Sequence, residues 1–283
     1  MDPASPRGNG PADTPPSADS ADSVGSARSG RTLTSTGFDG DHGEADPHLL
    51  AALDDPRDEV TLMRAVAQAR LLIPIVAVPP EIVALPAEVQ HLDEHVDEHS
   101  DEPMTEQAAA TGSEGSGADD LAVVILTASD GHRAFPVFSS LAALSAWDAT
   151  ARPSPVTSSR AAQSAVSERC DVMLLDCGSS RARVLRPSMV WALAQQRDWL
   201  PAYLDSFVAQ ALIRASADEE DVIGCIGKGE PAEPGTLRVE LRLRQGLDAG
   251  RVRALATRIG ERIATDGEAR ARIDALSFTI RQA

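Results

Sequence analysis

The chain has 283 residues, with 43 Asp and Glu against 26 Lys and Arg, a formal net charge of -17. That length suits one large or two modest domains, and the acidity excludes general nucleic-acid binding, which needs clustered basic side chains. The charge is uneven: residues 1–120 hold 24 acids and 6 Arg, whereas residues 121–283 hold 19 acids and 20 bases. With aromatics at 3%, any core must be built mainly from Leu, Val, Ile and Ala.

Residues 1–48 are rich in Ser, Gly, Pro, Ala and Asp. Such a segment buries too little apolar surface to offset its chain entropy, so a disordered tail is expected there. It shows no apolar run after a basic start, hence no secretory signal. A helix follows, with Asp55 as its cap, Pro56 in its first turn, and Val60, Met63, Val66 and Ala67 on one face. Leu71 to Val78 reads as a strand covered on both faces, in which Pro74 favours an edge or a bulge. The apolar stretch Leu71–Leu85 is too short and too broken by proline to span a bilayer. Residues 79–119, with acids, His, Pro, Gly and Ser, read as a disordered insertion between two strands.

Leu121 to Leu126 predicts a second strand, and Asp130-Gly131 a hairpin turn returning through Ala134 to Phe138. Ser139 or Ser140 can cap a helix that turns Leu141, Leu144 and Trp147 inward. An extended piece at 152–157, a helix at 159–169, strands at 172–175 and 183–185, and a helix from Pro187 to Asp198 complete a first domain, 49–200. A second domain, 201–283, begins with a helix from about Pro201 whose stripe runs Tyr203, Leu204, Phe207, Val208, Ala211 and Leu212. Two strands follow, the second alternating Leu237, Val239, Leu241 and Leu243 with Arg238, Glu240, Arg242 and Arg244, so that one sheet face meets solvent. A helix capped by Asp248 and a strand through Leu276, Phe278 and Ile280 close the chain. The expected fold class is α+β: an N-terminal mixed-sheet α/β domain, then a small two-layer α-β-β-α-β domain.

Few residues suggest chemistry. His91-Leu-Asp-Glu94-His95 fits the inverzincin pattern and overlaps a second copy ending at His99. A zinc site needs both His on one face of a buried helix, a third ligand and a dry second shell. These polar, acidic flanks do not supply that, so adventitious binding by His91, His95 and His99 is the expectation, with no functional metal and no cofactor. The glycines of 224–229 fail the P-loop pattern, since Val222 stands at the first Gly and Gly229 at the Ser/Thr, and read as a strand running into a turn. Cys170 and Cys177 lie beside Asp171 and Asp176, which oppose thiolate formation, and three cysteines in a chain without an export signal suit a reducing compartment. His132 reads as a solvated turn residue, and Trp147, Trp191 and Trp199 as core or interface anchors. No catalytic constellation emerges.

Residues 130–147, with Asp130-Gly-His-Arg, Phe135-Pro-Val-Phe138, Ser139-Ser140 and Trp147, resemble the N-terminal domain of the SseB (enhanced serine sensitivity) family in its actinobacterial form. The strand from Arg70, the strand Asp171 to Asp176, and Arg186-Pro187 before a helix agree, so the likeness spans about 55–215. His132 replaces the usual Arg, Ser139 the usual Thr, and Cys177 the usual small residue or Pro. The resemblance implies no established reaction. The missing export signal, the broken apolar stretch and the three cysteines lead us to expect a soluble, cytoplasmic protein. The hairpin-to-helix residues Asp130, Gly131, Phe138, Ser139 and Ser140 are the candidate ligand- or partner-binding surface, with exposed amides for an anion, or else simply define a tight turn and a cap. A non-catalytic adaptor with a protein partner is the first expectation, and a small-metabolite sensor or enzyme of serine metabolism the second. The oligomeric state is left open.

Overall fold

The computed structural model describes residue 38 and residues 40–55, 57–76 and 122–282. The expected insertion 79–119, with His91, His95 and His99, lies outside the described residues, as do residues 1–37. The expected tail ended at 48, yet residues 40–46 are placed against the rest of the chain. Asp41 Oδ2 pairs with Arg70 Nε at 2.5 Å, Arg70 Nη2 donates to the Glu44 carbonyl at 2.7 Å, and Leu141 N donates to the Gly43 carbonyl at 2.8 Å.

Helix α1 (Pro47–Leu53) was not foreseen. Pro47 occupies its first turn, Asp46 Oδ1 accepts from His48 N and Leu49 N, and Leu49, Ala52 and Leu53 are buried. Helix α2 (Glu59–Gln68) is capped by Asp58, whose Oδ1 accepts from Thr61 N at 2.9 Å. Asp55, the cap expected from sequence, is taken by a local turn: its Oδ1 accepts from Arg57 N at 3.0 Å.

Strand β1 (Arg70–Val76) lies between β2 (Ala122–Val123) and β5 (Arg152–Thr157), antiparallel to both. Pro74 therefore sits in a central strand, not at an edge. The reason is register: Pro74 faces Pro153, and Leu72 faces Pro155. Leu72 exchanges both its backbone hydrogen bonds with Phe138, at 2.8 and 2.9 Å, so even-numbered β1 residues point away from β5. The β5 prolines thus stand where no N–H is needed, and Pro74 contributes only its carbonyl, which accepts from Val124 N.

The run 121–126 does not form one strand. Its first half joins β1 as β2, and its second half, β3 (Leu126–Thr127), pairs with β4 (Arg133–Val137) as the expected hairpin. Strand β4 then runs parallel to β6 (Val172–Leu175), which is antiparallel to β7 (Arg183–Leu185). The Leu72–Phe138 bridge joins the two sheets. Alternation sends Phe135, Val137, Met173 and Leu175 into one apolar layer with α1, α2, α4 (Ser158–Ser167) and α5 (Pro187–Ala194). Ala134, Val172 and Leu174 enter the opposite layer with Phe138 and Leu144 of α3 (Leu141–Trp147).

In the C-terminal part, α6 (Ser206–Ser216) starts five residues later than expected. Asp205 caps it, and Tyr203 and Leu204 lie in a preceding turn, 47% and 55% exposed. Strands β8 (Val222–Gly229), β9 (Thr236–Leu243) and β10 (Ala275–Gln282) form a sheet of order β10-β9-β8, in which β9 runs parallel to β10 and antiparallel to β8. The glycines 224–229 are strand residues, not a turn. Gly227 leaves room for Leu212 and Leu237, and Gly229 for the Tyr203 ring. As the alternation predicts, Leu237, Val239, Leu241 and Leu243 are buried under α6 and α7 (Ala249–Thr265), and the short α8 (Gly267–Ala271) precedes β10. The fold is α+β.

From Phe38 onward the described residues make one compact unit, in which the expected domains meet at Arg186. Its guanidinium holds Glu59 in a bidentate pair and Asp274 at 2.9 Å, and lies over the Trp199 ring, 5.8 Å from its centroid. Asp274 also accepts from Ser188 N and Oγ, at 2.7 and 2.9 Å.

Candidate functional site

The parallel pair β4/β6 delivers two turns to one edge. Beyond β4 come Phe138, Ser139 and Ser140; beyond β6 come Asp176 and Cys177. Ser139 donates its N–H and its hydroxyl to the two oxygens of Asp176, each at 2.7 Å. Both residues are buried, at 2% and 4% exposure, and Asp176 sits in the left-handed region with φ +51. Burial raises the Asp176 pKa against the Ser139 hydrogen bonds that favour its charged form. Arg70 Nη1 donates to the Ser139 carbonyl at 3.1 Å.

Two of the amides expected to await an anion at α3 are already used. Leu141 N donates to the Gly43 carbonyl, and Ala143 N to Ser140 Oγ at 3.1 Å. Gly43 has φ +81, and a Cβ there would overlap the Leu141 side chain, so glycine is required for this approach. Ser140 rather than Ser139 is the cap, because Ser139 is committed to Asp176. Phe138 is fully buried, with its ring 5.2 Å from that of Trp147.

Asp130 and Gly131 do not join these residues. They form the exposed β3–β4 hairpin tip at the opposite end of β4, roughly 23 Å away for seven extended residues. There Asp130 Oδ1 accepts from His132 N at 3.0 Å, and Gly131, at φ +88, has open space around it. The His132 ring, expected to be solvated, has Nδ1 3.4 Å from Asp171 Oδ2. The five candidate residues are thus two separate features, one exposed and one closed. Burial pushes the Cys170 and Cys177 thiols up to about 12, so both remain protonated at neutral pH. Among the described residues, no three His, Cys, Asp or Glu are grouped to hold a metal ion, and no helix is long and apolar enough to cross a membrane.

One concave surface went unnoticed in the sequence. A groove of about 430 Å³ lies between α4 and α5, with Val166, Cys170, Val190 and Trp191 as its apolar lining and Gln163, Ser167, Asp171 and Gln195 as its polar lining. It exists because α4 packs through small residues, Ser158, Ala161, Ala162 and Ala165, leaving Val166 outside the stripe and 56% exposed. That misplaced valine was the available signal. Trp191, expected as an anchor, is half-buried, and Arg197 and Arg272 lie 5.5 and 5.2 Å from its ring.

The SseB protein N-terminal domain model matches residues 48–192, 145 of the 283 residues. The chain belongs to the SseB family. The SseB domain therefore runs from α1 through most of α5 and contains the Ser139–Asp176 closure, the hairpin tip and most of the groove. No curated protein and no solved structure matches the chain.

Proposed function

We propose that this SseB-family protein is a cytoplasmic, non-catalytic binding or adaptor protein that takes an apolar segment of a partner protein in the α4–α5 groove. The observation that carries this reading is the groove itself: an apolar lining of Val166, Cys170, Val190 and Trp191 beside polar Gln163, Ser167, Asp171 and Gln195, with Trp191 of the residue type most enriched at binding hot spots. A photo-crosslinking group at Gln195, used in cells, is expected to give discrete adducts that vanish with Val166→Asp. A set of adducts unchanged by Val166→Asp overturns the reading, as does their absence at normal protein levels.

A second reading, a small-metabolite sensor or enzyme of amino-acid metabolism, is favoured by Asp176. A buried carboxyl in a left-handed turn, at the carboxyl end of parallel strands, occupies the place where α/β sheets put ligands. A thermal-shift screen of amino acids and nucleotides tests it, since a ligand at 100 times its Kd adds about 2.7 kcal/mol. No shift with any compound removes it.

A further inference from the structure

The solvent face of the C-terminal sheet keeps like charges side by side. In register, Lys228 of β8 stands directly opposite Arg238 of β9, and Arg242 of β9 stands directly beside Arg281 of β10. Directly opposed like charges destabilise a sheet, and here two such pairs flank a single row. That middle row carries Glu240 and Ile226, the latter 47% exposed. Glu240 is shared by two cations, with Lys228 Nζ at 2.7 Å and Arg281 Nε at 3.3 Å, while Arg238 pairs with Glu230. Arg242 has no ion pair among the described residues. The face therefore sets four cations against two carboxylates, in a chain whose net charge is -17.

We propose that this open sheet face is a docking surface for an acidic, extended peptide segment of a partner protein. Arg238 and Arg242 are four strand residues apart, so the two cation pairs are separated by roughly 13 Å. An extended peptide with carboxylates at positions i and i+4 reproduces that spacing and turns residue i+2 toward the same face. An apolar residue at i+2 then meets Ile226. A nucleic acid suits the face less well, because it presents no aromatic ring for base stacking and places Glu240 at its centre. The cross-strand repulsion that destabilises the free face is relieved when carboxylates arrive. This surface is independent of the α4–α5 groove.

The test uses the full chain and a labelled synthetic peptide repeating Glu-Ser-Val-Ser, followed by anisotropy. Saturable binding that weakens with salt is expected. Reversing both Arg242 and Arg281 to Glu should weaken it at least about tenfold, and Arg242→Thr about two- to fivefold, the scale of one exposed ion pair. Arg242→Thr should also raise the thermal midpoint of the free protein, since it removes one member of a like-charge pair; a lowered midpoint would show that Arg242 serves the fold and overturns the proposal. So does equal binding of a Gln-Ser-Val-Ser peptide, tighter competing binding of single-stranded RNA, or no saturable binding. Val166→Asp should leave peptide binding unchanged, which separates a failure here from a failure of the groove reading.

Discussion

Ser139 gives both its hydrogens to one carboxylate, and this closure holds the turn after β4 to the turn after β6. Ser139→Ala keeps the N–H bond but leaves one buried Asp176 oxygen unsatisfied, so a loss of about 1–3 kcal/mol in denaturant unfolding is expected. Asp176→Asn tests the charge. Because the folded pKa of Asp176 is raised, the folded state binds its proton more tightly than the unfolded chain. The contribution is fully present below the unfolded value, near pH 4, and is lost as pH rises through the folded pKa. Wild type should therefore lose stability relative to Asp176→Asn over that window, and parallel pH profiles would refute this. Sequence could place Ser139 and Asp176 each at a strand end. That they meet depends on β4 and β6 running parallel in register, which no local signal in either segment encodes.

Helix α1 shows how much a seven-residue element depends on its ends. An isolated helix so short is unstable in water, so α1 persists through the Asp46 cap, Pro47 and the burial of Leu49 and Leu53. Asp46→Ala is expected to cost about 1 kcal/mol and to speed amide exchange across 47–53 before the rest of the domain. Uniform exchange along the chain would contradict it. At this scale the long periodic elements were legible: α2, the β3–β4 hairpin, the buried β6 and the alternating β9 follow from their apolar spacing. The breaks were not. Residues 121–126 carry one continuous apolar run, but two sheets compete for it, and the chain divides at Val124 and Ile125 between β1 and β4. Pro74 reads as an edge residue because sequence does not disclose that Pro153 and Pro155 of its neighbour occupy the positions that need no donor.

Across the molecule, Arg186 is the joint. Burial by itself would lower its pKa, but the hydrogen bonds and charges of Glu59 and Asp274 hold it above its ordinary value, fully charged. Arg186→Ala leaves Glu59 and Asp274 facing each other without their cation, so a loss of about 3–5 kcal/mol is expected in thermal or denaturant unfolding. If instead the variant unfolds in two separated transitions, residues 49–200 and 201–283 fold as the independent domains their patterns suggest. Gly235 belongs to the same joint, because a Cβ there would stand 2.6 Å from Arg186 Nε. Apolar patterning determined the α+β class, composition the low aromatic content of the core and the near-neutrality of residues 121–283, and the 130–147 motif the SseB likeness. These are local or summed properties of the chain. Tertiary structure alone decided that Asp130 and Ser139 lie at opposite ends of one strand, that a carbonyl from residue 43 takes the first α3 amide, and that small residues in α4 open a groove beside Trp191. Each depends on which distant backbone lies alongside, and register and packing are set by the whole fold rather than by any stretch of sequence.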